Sequence, residues 1–210
     1  INKNDSGTAF EEKVVFLSVS DKSIFYLDNL GFLYKISLSF SQKEKINTVA
    51  LKLNKGDAYE IFYSNSYLFL KSRGNLYKFN VEKEMFELVQ ESINDAVFNS
   101  NYKKLAIFGN KNLLVLFLEK LLEQPEKQEG EKSVLTGNFD NLSQLFWITD
   151  HYLLFLDNDT IKVFETDDRD KISVYEIGKF KNPKIYWNDV YKKLYVLSEE
   201  NLYSLDNLTP

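Results

Sequence analysis

The residues able to do chemistry are few and scattered. His151 is the only histidine and cysteine is absent, which excludes disulfides, thiolate catalysis and cysteine zinc clusters. A lone histidine works as a base or a metal ligand only when an oriented acid or further ligands surround it. The neighbours of His151 in sequence supply neither, so it is expected as an exposed turn residue. Carboxylates cluster at Asp157-Asn158-Asp159 and at Asp167-Asp168-Arg169-Asp170. Both clusters fall where turns are expected, and Asx side chains cap their own backbone there. A calcium loop needs a longer alternation of oxygen ligands closing on a glutamate, and neither cluster has it. Glu60, Asp95 and Asp150 could build a hydrolase or lyase site only by converging, and their offsets along the repeats are unequal. No glycine-rich phosphate loop, Gly-x-Ser-x-Gly elbow or His-Glu-x-x-His motif occurs. The expectation is no cofactor, no metal and no catalytic residue. Trp147 and Trp187 offer flat apolar faces suited to a sugar or peptide groove. Their repeated position favours packing between repeats instead.

The elements that must carry these residues are strands. Of 210 residues, 44% are hydrophobic and 27% charged, enough to bury a core. Seventeen Phe and 13 Tyr against one Met and 3 Pro point to sheets. With 31 acidic against 26 basic residues, the net charge of -5 argues against duplex nucleic acid, whose binding rests on Lys and Arg at phosphates. Only the twin pairs Lys103-Lys104 and Lys192-Lys193 suggest a weak anionic contact. No apolar run approaches the ~18 residues of a membrane helix.

Internal repeats dominate the pattern. Five segments read as apolar strand, polar turn, apolar strand, with anchors eight residues apart at 25/33, 68/76, 105/113, 153/161 and 194/202. A leading strand ends in an aromatic at Phe62, Phe98, Trp147 and Trp187, and Phe98–Leu105 is echoed by Trp187–Leu194. Trailing strands alternate, as at Val49, Leu51 and Leu53 and at Ile172, Val174 and Ile177. Strands covered on both faces read as continuous apolar runs, while half-exposed ones alternate. Four antiparallel strands per ~40–45-residue unit describe a β-propeller blade. A β-sandwich also has short strands with frequent turns, but it has no reason to repeat one offset five times. The fold expected is therefore all-β, a propeller of about five four-stranded blades, as a single domain over 1–210 or a fragment of a larger ring. Blades are placed at 11–54, 57–91, 93–137, 143–178 and 183–207. The chain opens on Ile1 and its last unit lacks a fourth strand. Either the N-terminal segment closes the ring or, as we favour, upstream blades are missing.

One segment breaks the rhythm. Residues 119–132 (EKLLEQPEKQEGEK) are charge-rich and read as a flexible, solvated insertion between third and fourth strands, with a helical turn over Glu119–Gln124. Deletion of Glu123 to Glu131 is expected to leave the melting temperature nearly unchanged.

The stretch from Ile161 to Lys171, followed by Ile185–Asn188 and Lys193–Leu197, resembles the C-terminal propeller-like regions of PEGA-domain-containing bacterial surface proteins. Those carry a Glu-x-Asp-Gly-Arg-Asp turn, an aromatic strand and a final Leu-Tyr hairpin. Here Asp168 stands in place of the turn glycine. The resemblance implies an extracytoplasmic protein held at the membrane through a missing N-terminal anchor, with the cytoplasm left open as an alternative. It transfers no catalytic residue.

Taken with the repeats, these features lead to the expectation of a non-enzymatic interaction module with a protein or glycan partner and no nucleic acid. Loops on a rigid platform carry binding, so the candidate binding residues are Asp28, Asn29, Arg73, Asp157, Asn158 and Asp159. A hydrolase or lyase with a carboxylate site in a central channel is the alternative, alongside a glycan-binding propeller.

Overall fold

The computed structural model describes residues 13–20, 22–39, 42–64, 67–109, 111–122, 125–135, 139–166, 174–206 and 208. The chain divides into two compact units, Ile1–Ser92 and Ile93–Pro210. The first unit holds two antiparallel sheets: β1(Val14–Ser20), β2(Ser23–Asp28), β3(Leu33–Ser37), β4(Lys43–Lys45), then β5(Tyr59–Ser64), β6(Tyr67–Ser72), β7(Asn75–Asn80), β8(Met85–Gln90). The second holds β9(Asp95–Phe98), β10(Lys104–Phe108), β11(Leu113–Phe117), β12(Lys132–Leu135), then β13(Leu142–Trp147), β14(Tyr152–Asp157), β15(Thr160–Glu165), β16(Val174–Lys179), and a three-stranded sheet of β17(Lys184–Asn188), β18(Lys193–Ser198), β19(Asn201–Leu205). Each sheet is an up-and-down meander in chain order, and the architecture is that of β-propeller blades. Among the described residues no helix is long and apolar enough to cross a membrane.

The five eight-residue offsets are the central hairpins of the five sheets. Three close through two-residue turns: Arg73-Gly74, Asn158-Asp159 and Glu199-Glu200. Arg73 and Gly74 (φ 55° and 71°), like Glu199 and Glu200 (47° and 67°), have the positive φ that matches strand twist in a tight hairpin. Every residue of β10 and β11 is buried. The period of two explains why: on β14, Leu153 and Phe155 enter a core shared with β10–β12, whereas Leu154 and Leu156 enter another shared with β17 and β18. A sheet buried on both faces this way belongs to a stack of blades and not to a two-layer sandwich. In the first unit Phe25, Leu27 and Leu33 meet Ile61, Leu68, Leu70 and Phe86.

Two expectations are corrected. The trailing strand of the first sheet is Lys43–Lys45; Val49, Leu51 and Leu53 lie beyond it in irregular backbone. Asn47, fully buried, is the cause. Its Oδ1 accepts from Leu33 N (2.7 Å) and its Nδ2 donates to Gly31 O (3.0 Å) and Val49 O (2.7 Å), so a side chain replaces the ladder and turns the chain across the β2–β3 hairpin end. Leu51 N then donates to Gly31 O at 2.9 Å, while Leu51 and Leu53 pack on the core. Ile172 lies outside the described residues, and so does the acidic run 167–170.

The 119–132 segment also differs from its expected form. Among its described residues there is no helical turn; Leu121 and Lys127 pair as an antiparallel bridge instead. Phe117 N donates to Glu131 O (2.9 Å) and Gly130 N to Phe117 O (2.8 Å). Lys127 pairs with Glu131 at 3.1 Å and sits 5.6 Å over the Phe117 ring. Leu121 packs against the core, so apolar anchors within a charged stretch fold it back onto its sheet.

Candidate functional site

The hairpin-turn residues close turns. Asp28 Oδ1 accepts from Leu30 N and Phe32 N, both at 2.9 Å, while Asn29 stays exposed with its amide on Lys13 O. Arg73 pairs with Asp57 at 2.6 Å, and its Nη2 donates to Lys52 O at 3.2 Å. The Arg73 hydrogen bond is the main cause holding the Asp57 carboxyl below its ordinary value, and the same bond raises Arg73. Burial, followed by Asp57, pushes the Tyr59 hydroxyl up. Arg73 borders a cleft of about 350 Å³ floored by Leu51, Leu70, Tyr77 and Phe86.

Asp157 is 4% exposed and accepts from Asp140 N (3.0 Å), Asn141 N (3.0 Å) and Lys162 Nζ (2.6 Å). Burial pushes its pKa up, but these bonds outweigh burial and leave it lowered. Asn158 is exposed at φ 51°, and Asp159 Oδ1 accepts from Asn182 N at 3.2 Å.

The opposite ends of the strands in the second unit carry a different arrangement. Asp150, in the β13–β14 turn, is held by the β9–β10 turn of the preceding sheet. Its Oδ1 accepts from Asn99 Nδ2 (2.9 Å) and Ser100 Oγ (3.2 Å), and its Oδ2 accepts from Asn101 Nδ2 (2.8 Å). Lys104 Nζ donates to the Asp150 carbonyl at 2.8 Å. Asn99 is 1% exposed, and its Oδ1 also accepts from Lys104 N. Beside this clamp lies a cleft of about 450 Å³ lined by Ser100, Ile148, Thr149, Asp150, Trp187 and Lys192.

The two tryptophans pack between sheets, each 8% exposed. Their polar handles differ. Trp147 Nε1 donates to Val97 O at 2.9 Å, whereas Trp187 Nε1 has no partner among the described residues. The strands that carry them differ as well. β13 is bulged at Gln144 (φ 50°), and Gln144 Oε1 accepts from Ile185 N at 2.7 Å, so a side chain makes the link between these two sheets.

His151 is exposed, and its backbone carbonyl accepts from Thr166 N and Oγ1. Glu60 pairs with Lys71 at 3.0 Å; Asp95 opens β9, whereas Asp150 lies past the end of β13. No group of three metal-ligating side chains occurs among the described residues. The twin lysines each face an acceptor: Lys103 on Glu119 (3.6 Å), Lys104 on Asp150 O, Lys192 on Asp189 (2.6 Å) and Lys193 on Asp206 (3.4 Å). Asn99, Ser100, Asn101 and Gln144 escape sequence reasoning, because a polar residue in a turn looks solvated there. The echoed turn Phe98–Lys104 was the available signal.

No protein-family model and no curated protein sequence matches the chain. Solved structures do. Hsv2 of Kluyveromyces lactis aligns with a TM-score of 0.61 at 14% identity over 92% of this chain and 62% of that one. The C-terminal WD40 domain of Sif2 aligns at 0.55 and 12% identity over 90% and 55%, and a eukaryotic initiation factor at 0.60 and 12% over 95% and 53%. The chain thus spans under two thirds of the length of each. At such identities the likeness shows the fold alone, a β-propeller.

Proposed function

We propose that the chain is a non-enzymatic interaction module that binds a protein segment at the cleft beside Asp150. The observation that supports this is the clamp itself. Three polar groups of one sheet's turn hold a carboxylate of the next beside a cleft with an apolar wall, and Lys104 holds its backbone carbonyl. Rigid positioning of a polar group next to apolar surface is what a recognition site needs. The WD40-like fold of the neighbours supports the same reading by analogy. We further propose an extracytoplasmic, membrane-anchored setting, supported by the resemblance of the C-terminal stretch to PEGA-associated regions. Protease treatment of intact cells, degrading the protein without lysis, tests that setting.

The binding reading is tested by panning a displayed library of random 12-residue peptides against the purified chain. Enrichment of a consensus whose binding is lost in Asp150→Ala and Trp187→Ala together supports it. Absence of any enriched sequence, or enrichment untouched by both changes, rejects it. Enrichment only on a parallel glycan array would move the assignment to a sugar ligand.

A further inference from the structure

One charged group in the cleft lacks the opposite charge its chemistry calls for. The Asp150 carboxylate is oriented by two amides and a hydroxyl, all neutral, and no ion pair forms on it among the described residues. The nearby ammonium of Lys104 is spent on the backbone carbonyl, and that of Lys192 on Asp189. Trp187, 8% exposed, lines the same cleft, although its indole N–H is itself fully buried. Trp187, Ile148 and Leu208 supply the apolar part of the lining.

We infer that this cleft takes a basic side chain, lysine or arginine, from a partner polypeptide. The cation meets Asp150, and the aliphatic stem lies along Ile148 and the Trp187 ring. The two requirements coincide in one residue type. A carboxylate selects the cation, and an indole face favours both the cation and its methylene stem. This inference rests on the binding-module reading and names its ligand chemistry.

The test uses the whole chain labelled with 15N and four capped pentapeptides, Gly-Ser-X-Ser-Gly with X as lysine, arginine, norleucine or glutamate. Lysine and arginine peptides should shift the Trp187 indole resonance and leave that of Trp147 in place, with dissociation constants on the order of 1 mM for one side chain. Asp150→Asn should weaken binding about tenfold or more, since a charge-assisted bond becomes a neutral one. Glu87→Gln, which breaks an exposed pair with Lys83 in the first unit, should not weaken it. On the unaltered protein, binding should fall between 20 and 300 mM salt, roughly as expected for a half-exposed ion pair, which covers the case in which Asp150→Asn fails to fold. Equal binding of the norleucine peptide, preference for glutamate, or indifference to salt overturns the inference. A panned consensus that binds the cleft without a basic residue also overturns it while leaving the module reading intact; panning that enriches nothing removes that reading itself.

Discussion

Gly31 and Gly56 have nearly the same backbone, with φ of +90° and +89°, and opposite surroundings. A Cβ built on Gly56 meets nothing within 4 Å, whereas one on Gly31 falls 2.2 Å from Leu51 O and 2.9 Å from Leu51 N. Gly56→Ala therefore isolates the cost of placing a side chain in the left-handed region, about 1 kcal/mol. Gly31→Ala carries that cost and must also push Leu51 away. The bond from Leu51 N to Gly31 O goes with it, about 1 kcal/mol. Withdrawal of half-buried Leu51 from the core costs a further ~1–2 kcal/mol. The sum is ~3–4 kcal/mol, against ~1 for the control. At about 3 °C per kcal/mol for a chain of this size, the melting temperature should drop by ~10 °C and ~3 °C respectively, read by far-ultraviolet circular dichroism. Equal drops for the two variants would refute the claim that the Asn47-directed crossing is packed against the hairpin.

Other outcomes follow from the same geometry. Leu153→Ala and Leu194→Ala, each at a fully buried anchor, should cost ~2–5 kcal/mol in urea unfolding; losses under ~1 kcal/mol at both would contradict the inter-sheet cores. Asp157→Asn should destabilise at neutral pH, and its gap to the unaltered protein should close in acid. With its folded pKa lowered, the contribution of Asp157 is fully present above its unfolded value near ~4 and is lost as pH falls below it; a gap constant from pH 7 to 3 would refute this. Deleting residues 123–131 should lower the melting temperature by calorimetry, because the pairing of Phe117 with Gly130 and Glu131 goes with them; an unchanged transition would restore the solvated-loop expectation. His151→Ala should change stability by no more than ~0.5 kcal/mol, since the bonds at that turn are made by its backbone.

What the sequence discloses here depends on whether a residue acts through its type or through its partner. The central hairpins were legible because strands apolar on every residue, such as Leu113–Phe117, have no stable place except between two sheets. The turn aromatics were legible as packing for the same reason. Asn47 was not: a side-chain amide that stands in for a ladder reads like any loop asparagine, and the alternation of Val49, Leu51 and Leu53 then imitates a strand. The bridge within residues 119–132 was not legible because Leu121, which packs against the core, is outnumbered there by charges. The cleft was illegible for a sharper reason. Repeats establish that Trp147 and Trp187 occupy equivalent positions, and equivalence suggests identical partners. The structure departs from that symmetry: Trp147 donates to Val97 O, Trp187 Nε1 has no partner among the described residues, and a side chain, Gln144, links β13 to β17. A repeat sequence announces its positions, while the partner each position meets is set by local geometry.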